Sequence, residues 1–512
     1  MTRLANAVRP RLAAVRPQLA RAANATKPQV KRLLSVKTQQ FAAGAATAGV
    51  ALTAVVVTAA GPWDSSGQRT AERDRAVALE HAGGTDHGGG TGTSGTAQGE
   101  PEPAPSASSV LAGLGGAANT VKSAPDSQAL AGLLAPLLKD PALGTGRGAS
   151  VVDITTGKRL YGTGTGTALT PASTTKIATA VAALTAMGPD HRLTTRAALE
   201  PDTRELVLVG GGDPTLTARE DAEGWASLRE LATETAAALK KAGLREVTLS
   251  YDTTLYSGSE IHPIGADPNL APVSALMTDE ARTDDSTSGT AVRSTEPAED
   301  AAEQFAALLK AEGVTTTSPG PSKATGRAET LAEVSSPPLT TLVERMLTNS
   351  DNDIAEHLAR QTAVATGARA DFAGGGDAIR AQLKKLGLPL TGVDFADGSG
   401  LDRDDRLTAN LLTSLLVKAA DPAHPELRSV LTGLPVAGFT GTLTSRYTDG
   451  AAGVVRAKTG TLTGVNSLAG TVVDRDGHLL AFAFLASGTT DRNAAQSALD
   501  RTATALAGCG CG

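Results

Sequence analysis

Residues 454–485 read VVRAKTGTLTGVNSLAGTVVDRDGHLLAFAFL. The runs 454–461, 466–473 and 479–485 are apolar and rich in β-branched residues, which predicts three strands. Asp474-Arg475-Asp476-Gly477 supplies the turn between the last two. An antiparallel meander therefore closes the chain, followed by a helix over 491–506. Towards the N-terminus, 127–138 has helical apolar spacing, and 150–154 with 159–161 reads as a hairpin about the turn Thr155-Thr156-Gly157-Lys158. Pro171 then opens an Ala-rich helix in which Ile177, Val181, Leu184 and Met187 fall near one face. Helix, then sheet, then closing helix gives an α+β sandwich, an antiparallel sheet flanked by helices.

Between these halves, 194–336 has its own pattern. Strands are predicted at 206–209 and 247–250 and helices at 225–242 and 301–311, with a polar loop at 283–300. Because the first half lacks the closing strands, 194–336 reads as a smaller α/β domain inserted into a main domain made of 124–193 and 337–508. Before it, 64–123 is rich in Gly, Ser, Thr, Ala and Pro and has too little apolar mass to offset chain entropy, so it reads as a disordered linker. His81 and His87 within it are read as solvated. Residues 1–40 carry nine Lys or Arg and no acid, and 41–63 carries no charge over 23 residues. Such a run reaches about 30 Å as a helix, enough to span a membrane, with the basic segment 1–40 cytoplasmic and everything after Trp63 outside. A cleaved signal peptide ending at Val57-Thr58-Ala59 is the alternative, giving a secreted protein.

With 512 residues, 41% apolar but only 3% aromatic, the core is expected to be aliphatic. A net charge of -6 gives no case for nucleic-acid binding. The two cysteines, Cys509 and Cys511, stand in a terminal Gly-Cys-Gly-Cys-Gly tail, 509–512. A disulfide across one residue is strained and two ligands do not make a zinc site, so a frayed tail is expected, with pairing between chains or a redox role as the alternative.

Three short motifs carry chemistry. Ser173-Thr174-Thr175-Lys176 puts a hydroxyl and an amine one helical turn apart, on the same face. A serine alcohol needs a base to take its proton, and Lys176 can be that base only when neutral, which burial and a second cation would favour. Ser350-Asp351-Asn352 lies where one helix is predicted to end and another to begin, a junction suited to relaying a proton and holding a substrate amide. Lys458-Thr459-Gly460-Thr461 lies on a predicted edge strand, where Gly460 admits an extended substrate, Lys458 adds charge and Thr459 a hydroxyl. The Thr461 amide would complete an oxyanion pair with that of Ser173. Each motif alone is weak. Together, and in this order, they are the set of penicillin-binding proteins and class A β-lactamases.

The chain resembles the serine-type D-alanyl-D-alanine carboxypeptidase/endopeptidase family, the low-molecular-mass class C penicillin-binding proteins. The resemblance extends to GGGDPTL at 210–216, YDTTLYSG at 251–258, DGSGLDRDDRLT at 397–408 and LPVAGFTGTL at 434–443. It implies a penicillin-binding transpeptidase/β-lactamase-like fold. The nucleophile would be Ser173, the base Lys176 and the relay Ser350, with Asn352 positioning substrate and Lys458 and Thr459 binding its terminal carboxylate. Asp252 is the candidate for an acidic amino-group pocket. The implied substrates are peptidoglycan stem peptides ending in D-Ala-D-Ala, the implied inhibitors β-lactams, and no metal or organic cofactor is required. The 177 residues from Ser173 to Ser350 are fewer than expected for members with two extra domains, so one nested domain is missing. A β-lactamase is the nearest rival, but no Glu-x-x-Leu-Asn-like loop follows Asn352. A silent wall-binding or sensor protein of the same fold is the rival of another class.

Overall fold

The computed structural model describes residues 125–317, 319–447 and 450–511. The basic arm 1–40, the segment 41–63 and the linker 64–123 lie outside the described residues. The first elements are α1 (Ser127–Leu137), β1 (Gly146–Asp153), β2 (Arg159–Thr163), α2 (Thr175–Met187), β3 (Thr194–Leu199), β4 (Glu205–Val209), α3 (Leu228–Lys241), β5 (Glu246–Asp252), α4 (Pro297–Ala311), β6 (Thr315–Thr316) and β7 (Glu329–Ser335). There follow α5 (Leu339–Asn349), α6 (Asn352–Ala365), α7 (Phe372–Lys385), α8 (Ala409–Ala420), β8 (Val455–Leu462), β9 (Val465–Val473), β10 (Leu479–Ser487) and α9 (Arg492–Ala507).

The near-continuous apolar run of β10 is explained by burial on both faces. Leu480, Phe482 and Phe484 pack with α1 and α9, while Ala481, Ala483 and Leu485 pack with α2, α5, α6, α7 and α8. The main sheet, ordered β2-β1-β10-β9-β8 and antiparallel throughout, is thus sandwiched between two helical layers. Its β8 is an edge strand.

The expected single apolar face of α2 is replaced by burial all round. Every residue from Thr175 to Leu184 is buried, since α2 runs through the middle of the helical layer. Its regular helix also begins later than Pro171, because Ala172–Thr174 form a 3₁₀ turn first.

Segment 194–336 begins and ends in neighbouring strands of a second sheet, ordered β6-β5-β4-β3-β7. β4 pairs with β5 in parallel, and α3 and α4 cover one face through Leu231, Leu239, Phe305 and Leu309. Part of this segment leaves that sheet and packs on the main helices. The Ala271 amide bonds Asp353 on α6, and His262 bonds Asp397. The tail is not frayed. Cys509 and Cys511 are joined in a disulfide, Cys509 is buried, and the backbone bonds Asp126 N to Cys511 O (2.7 Å) and Arg475 N to Cys509 O (3.1 Å). Those two anchors hold the last residues against α1 and the β9–β10 turn.

Candidate active site

The nucleophile-bearing turn is locally strained. Ala172 is left-handed (φ 50°), a conformation that a side chain disfavours, and places Ser173 at the head of α2. Surrounding bonds hold the turn. Thr174 Oγ1 and Ser467 Oγ both donate to Pro171 O, at 2.8 and 2.6 Å. Gly460 lies directly on this turn, since a Cβ there would come 2.1 Å from Ser467 Oγ and 2.6 Å from Pro171 O. The glycine of the third motif therefore makes room for the Ser173 turn, where the sequence reading had it make room for substrate.

Ser350 is also left-handed (φ 60°) and caps the C-terminus of α5, while Asp351 caps α6 by accepting from Ile354 N at 3.0 Å. The two caps turn the chain sharply, so that Ser350 and Asn352 both face α2 and β8. Lys176 Nζ lies 3.1 Å from Ser173 Oγ and donates to Asn352 Oδ1 (2.6 Å) and the Ser399 carbonyl (2.7 Å). Lys458 Nζ donates to Ser350 Oγ and Thr459 O, both at 2.8 Å. Asn352 Nδ2 donates to Asn269 O at 2.9 Å, which fixes the orientation of the carboxamide.

Both lysines are fully buried, whereas Ser173, Ser350, Asn352, Thr459 and Thr461 are partly exposed above them. Burial pushes the Lys176 ammonium down to about 8, against the pull of Asp397, Glu356, Asp351 and Asp405. Burial, then the charge of Lys176, hold Lys458 well below the ordinary lysine range. One edge of β8 is open beyond the motif. Ala457 N bonds Pro435 O and Ala437 N bonds Val455 O, so the odd-numbered backbone groups face away from β9. By the two-residue alternation the Thr461 amide faces that same edge, beside the Ser173 turn.

Of the residues singled out in sequence, the structure brings Ser173, Lys176, Ser350, Asn352 and Lys458 into one hydrogen-bonded set, with Gly460 packed against it. Thr459 is outside that set, its hydroxyl donating to Thr442 Oγ1 at 3.0 Å. Asp252 is not brought to this set. Its carboxylate at the end of β5 accepts from Thr254 N (2.8 Å) and Ala324 N (3.0 Å), holding together the loops that leave the second sheet.

Sequence reasoning missed the support under the second motif. Asp279, Glu280 and Ala281 are successive left-handed residues (φ 50°, 55° and 52°) that drive Glu280 into the interior, 1% exposed. There Glu280 pairs with Arg345, with Arg282 (2.8 Å) and with Arg293 (3.8 Å). Arg345 reaches Asp351 (3.6 Å) and Arg293 reaches Asp353 (2.9 Å). Three acids and three arginines thus interlock beneath Ser350-Asp351-Asn352. No local pattern marks them, though a strained run in a polar loop is the kind of outlier that accompanies such a site.

The D-Ala-D-Ala carboxypeptidase 3 (S13) family matches residues 130–290 and 280–506. The chain belongs to that family. The carboxypeptidase DacB of Mycolicibacterium smegmatis is 38% identical over 405 residues, covering 76% of this chain and 86% of its own. The carboxypeptidase Rv3627c of Mycobacterium tuberculosis is 36% identical over 431 residues, covering 80% and 90%. The fold is that of penicillin-binding protein 4 (dacB) from Haemophilus influenzae, with a TM-score of 0.60 at 22% identity over 73% of this chain and 97% of that one. The S13 assignment covers all three motifs and the Asp397–Gly400 stretch.

Proposed function

We propose that the chain hydrolyses the peptide bond between the terminal D-alanines of peptidoglycan stem peptides through an acyl-enzyme on Ser173. The observation that carries this is the 3.1 Å contact from Ser173 Oγ to an amine that burial brings to about 8. Ser173 Oγ attacks the carbonyl and gives its proton to Lys176 Nζ. The oxyanion rests on the amides of Ser173 and Thr461. Collapse breaks the C–N bond, and the leaving amine takes a proton relayed through Ser350 Oγ, which Lys458 holds. Lys458 also presents positive charge to the carboxylate of the departing D-alanine. Water then hydrolyses the ester and returns the proton to Ser173.

A β-lactam enters the same path, but its opened amide stays tethered, so the acyl-enzyme persists. Residues 41–63 would hold the catalytic body at the outer face of the membrane, with 64–123 giving it reach. Endopeptidase cleavage of cross-links uses the same chemistry on a substrate with a larger leaving group.

The test is intact-protein mass of the full chain after incubation with benzylpenicillin, followed by peptide mapping. One adduct on the Ser173 peptide, absent in Ser173→Ala, is expected. A folded chain that neither gains an adduct nor turns over the drug would favour the silent binding protein, and rapid turnover without a lasting adduct a β-lactamase.

A further inference from the structure

Asp397-Gly398-Ser399-Gly400 enters the site through its backbone. Three groups surround Lys176 Nζ: Ser173 Oγ, Asn352 Oδ1 and the Ser399 carbonyl. A neutral amine has two N–H bonds and one lone pair. A carbonyl oxygen only accepts, and Asn352 Oδ1 is fixed as an acceptor because Nδ2 is spent on Asn269 O. These two take both N–H bonds. The lone pair is left for the third neighbour, the Ser173 hydroxyl, whose proton it must remove. Without the Ser399 carbonyl the amine is free to turn an N–H towards Ser173, the wrong way round for a base.

The carbonyl is held by a buried cluster. Asp397 Oδ1 accepts from Ser399 N (3.0 Å) and Gly400 N (2.6 Å), while Oδ2 accepts from Asp402 N (2.7 Å) and Ser399 Oγ (3.2 Å) and faces His262 Nε2 at 3.1 Å. His262 Nδ1 accepts from Ile264 N at 3.2 Å, which leaves the ring proton on Nε2, directed at Asp397. Glu356 on α6 accepts from Gly398 N (3.2 Å) and Ser399 N (2.8 Å). Thr179 Oγ1 ties Gly398 O to α2 at 2.6 Å. Gly400 (φ 84°) abuts the Ser173 turn so closely that a Cβ would lie 2.0 Å from Ala172 O. Asp397, Glu356 and His262 are grouped as closely as metal ligands, but their acceptor atoms already have N–H and O–H partners, which is the surrounding of a structural brace.

We propose that Asp397, braced by Glu356 and His262, is a positioning residue for the base: it fixes the Ser399 carbonyl so that the Lys176 lone pair is aimed at Ser173. The titratable groups facing Lys176 are Asp397 and Asp405 from this loop, Asp351 and Glu356 from α6 and its cap, and Lys458 from β8, with burial pushing Asp405, Glu356 and Lys458 towards their neutral forms. Asp397 thus acts on the base twice, through the carbonyl and through its own charge. Removing that charge makes Lys176 release its proton more readily, so the free base persists to lower pH.

This inference rests on Lys176 as base, and the experiment separates the two. The acylation constant of the full chain with a chromogenic cephalosporin is followed from pH 5 to 10 in wild type, Asp397→Asn and Glu356→Gln. In both variants the acid limb is expected to move to lower pH, by about one unit in Asp397→Asn. The plateau should fall at least about tenfold, in the acylation step and with little change in drug binding. An acid limb unmoved in variants that still acylate to completion would overturn the proposal and leave Asp397 a scaffold residue. Glu356→Gln leaves Asp397 in place and carries the test if Asp397→Asn does not fold. A wild type that is never acylated would instead overturn the functional reading itself.

Discussion

Lys458 donates to the Ser350 hydroxyl across 2.8 Å, and Ser350 adopts a left-handed backbone (φ 60°) to receive it. With Lys458 protonated the bond orients the Ser350 hydroxyl, since an ammonium has no lone pair and the serine oxygen must accept. The Ser350 proton is thereby turned away from Lys458 and is available to the leaving amine. In the proposed reaction a protonated Lys458 serves the relay and the substrate carboxylate together.

Lys458→Ala should therefore damage peptides with a free C-terminal carboxylate more than amidated ones. A loss in kcat/KM of about 100-fold or more is expected for the free acid, from a buried charge-assisted contact. Steady-state rates on a matched D-Ala-D-Ala acid and amide pair check this, and equal losses would contradict the role in carboxylate binding.

The pH dependence follows from Lys176, whose proton comes off near 8. Only the neutral amine accepts the Ser173 proton. Acylation should thus fall about tenfold for each pH unit below that value and level off above it. A stopped-flow profile with a chromogenic β-lactam reads this directly, and a rate that rises on acidification would assign the base elsewhere.

Gly460→Ala is the most economical way to disturb the site from the sheet side. Its Cβ would meet Ser467 Oγ at 2.1 Å and Pro171 O at 2.6 Å, so β8 and the Ser173 turn must move apart. A displacement of this size is expected to cost about 100-fold in acylation with retained far-UV circular dichroism. Near-normal acylation would show that the turn yields without moving Ser173.

Glu280→Ala leaves Arg282, Arg293 and Arg345 facing one another around an empty site. Breaking a buried ionic cluster by removing one member costs about 3–5 kcal/mol. Urea unfolding should show that loss, with acylation reduced because Asp351 shares Arg345. A change within about 0.5 kcal/mol would mean the arginines reach water instead.

How much of this was legible beforehand depends on where the information lies along the chain. The meander was readable because β9 and β10 are long, apolar and separated by a clear turn, and the motifs because each lies within four residues. The strands β3 and β7 escaped notice because TTRAAL and ETLAEVS are short and carry charge on their exposed sides. The helix α7 was hidden by its triple glycine, which exists for packing. A Cβ on Gly376 would come 2.1 Å from Phe395 O. Asp252 was singled out because the family resemblance implies an acidic amino-group pocket in the inserted domain, and nothing local reveals that its oxygens cap two turns. The brace under Ser399 draws on positions 262, 356 and 397, and sequence gives no spacing rule for groups that meet only in the fold.

The pairing of β1 with β10, Val151 opposite Phe482, has a consequence for biogenesis. A chain emerging from its N-terminus must keep the β1–β2 hairpin unpaired on one side until almost everything else has been delivered. During that interval a bare strand edge is open to other polypeptides. The strand that brings Lys458 and Gly460 arrives in the same late stretch, so a prematurely ended chain has neither a closed sheet nor a working serine. Reactivity towards a β-lactam therefore reports that synthesis and folding have both run to the end.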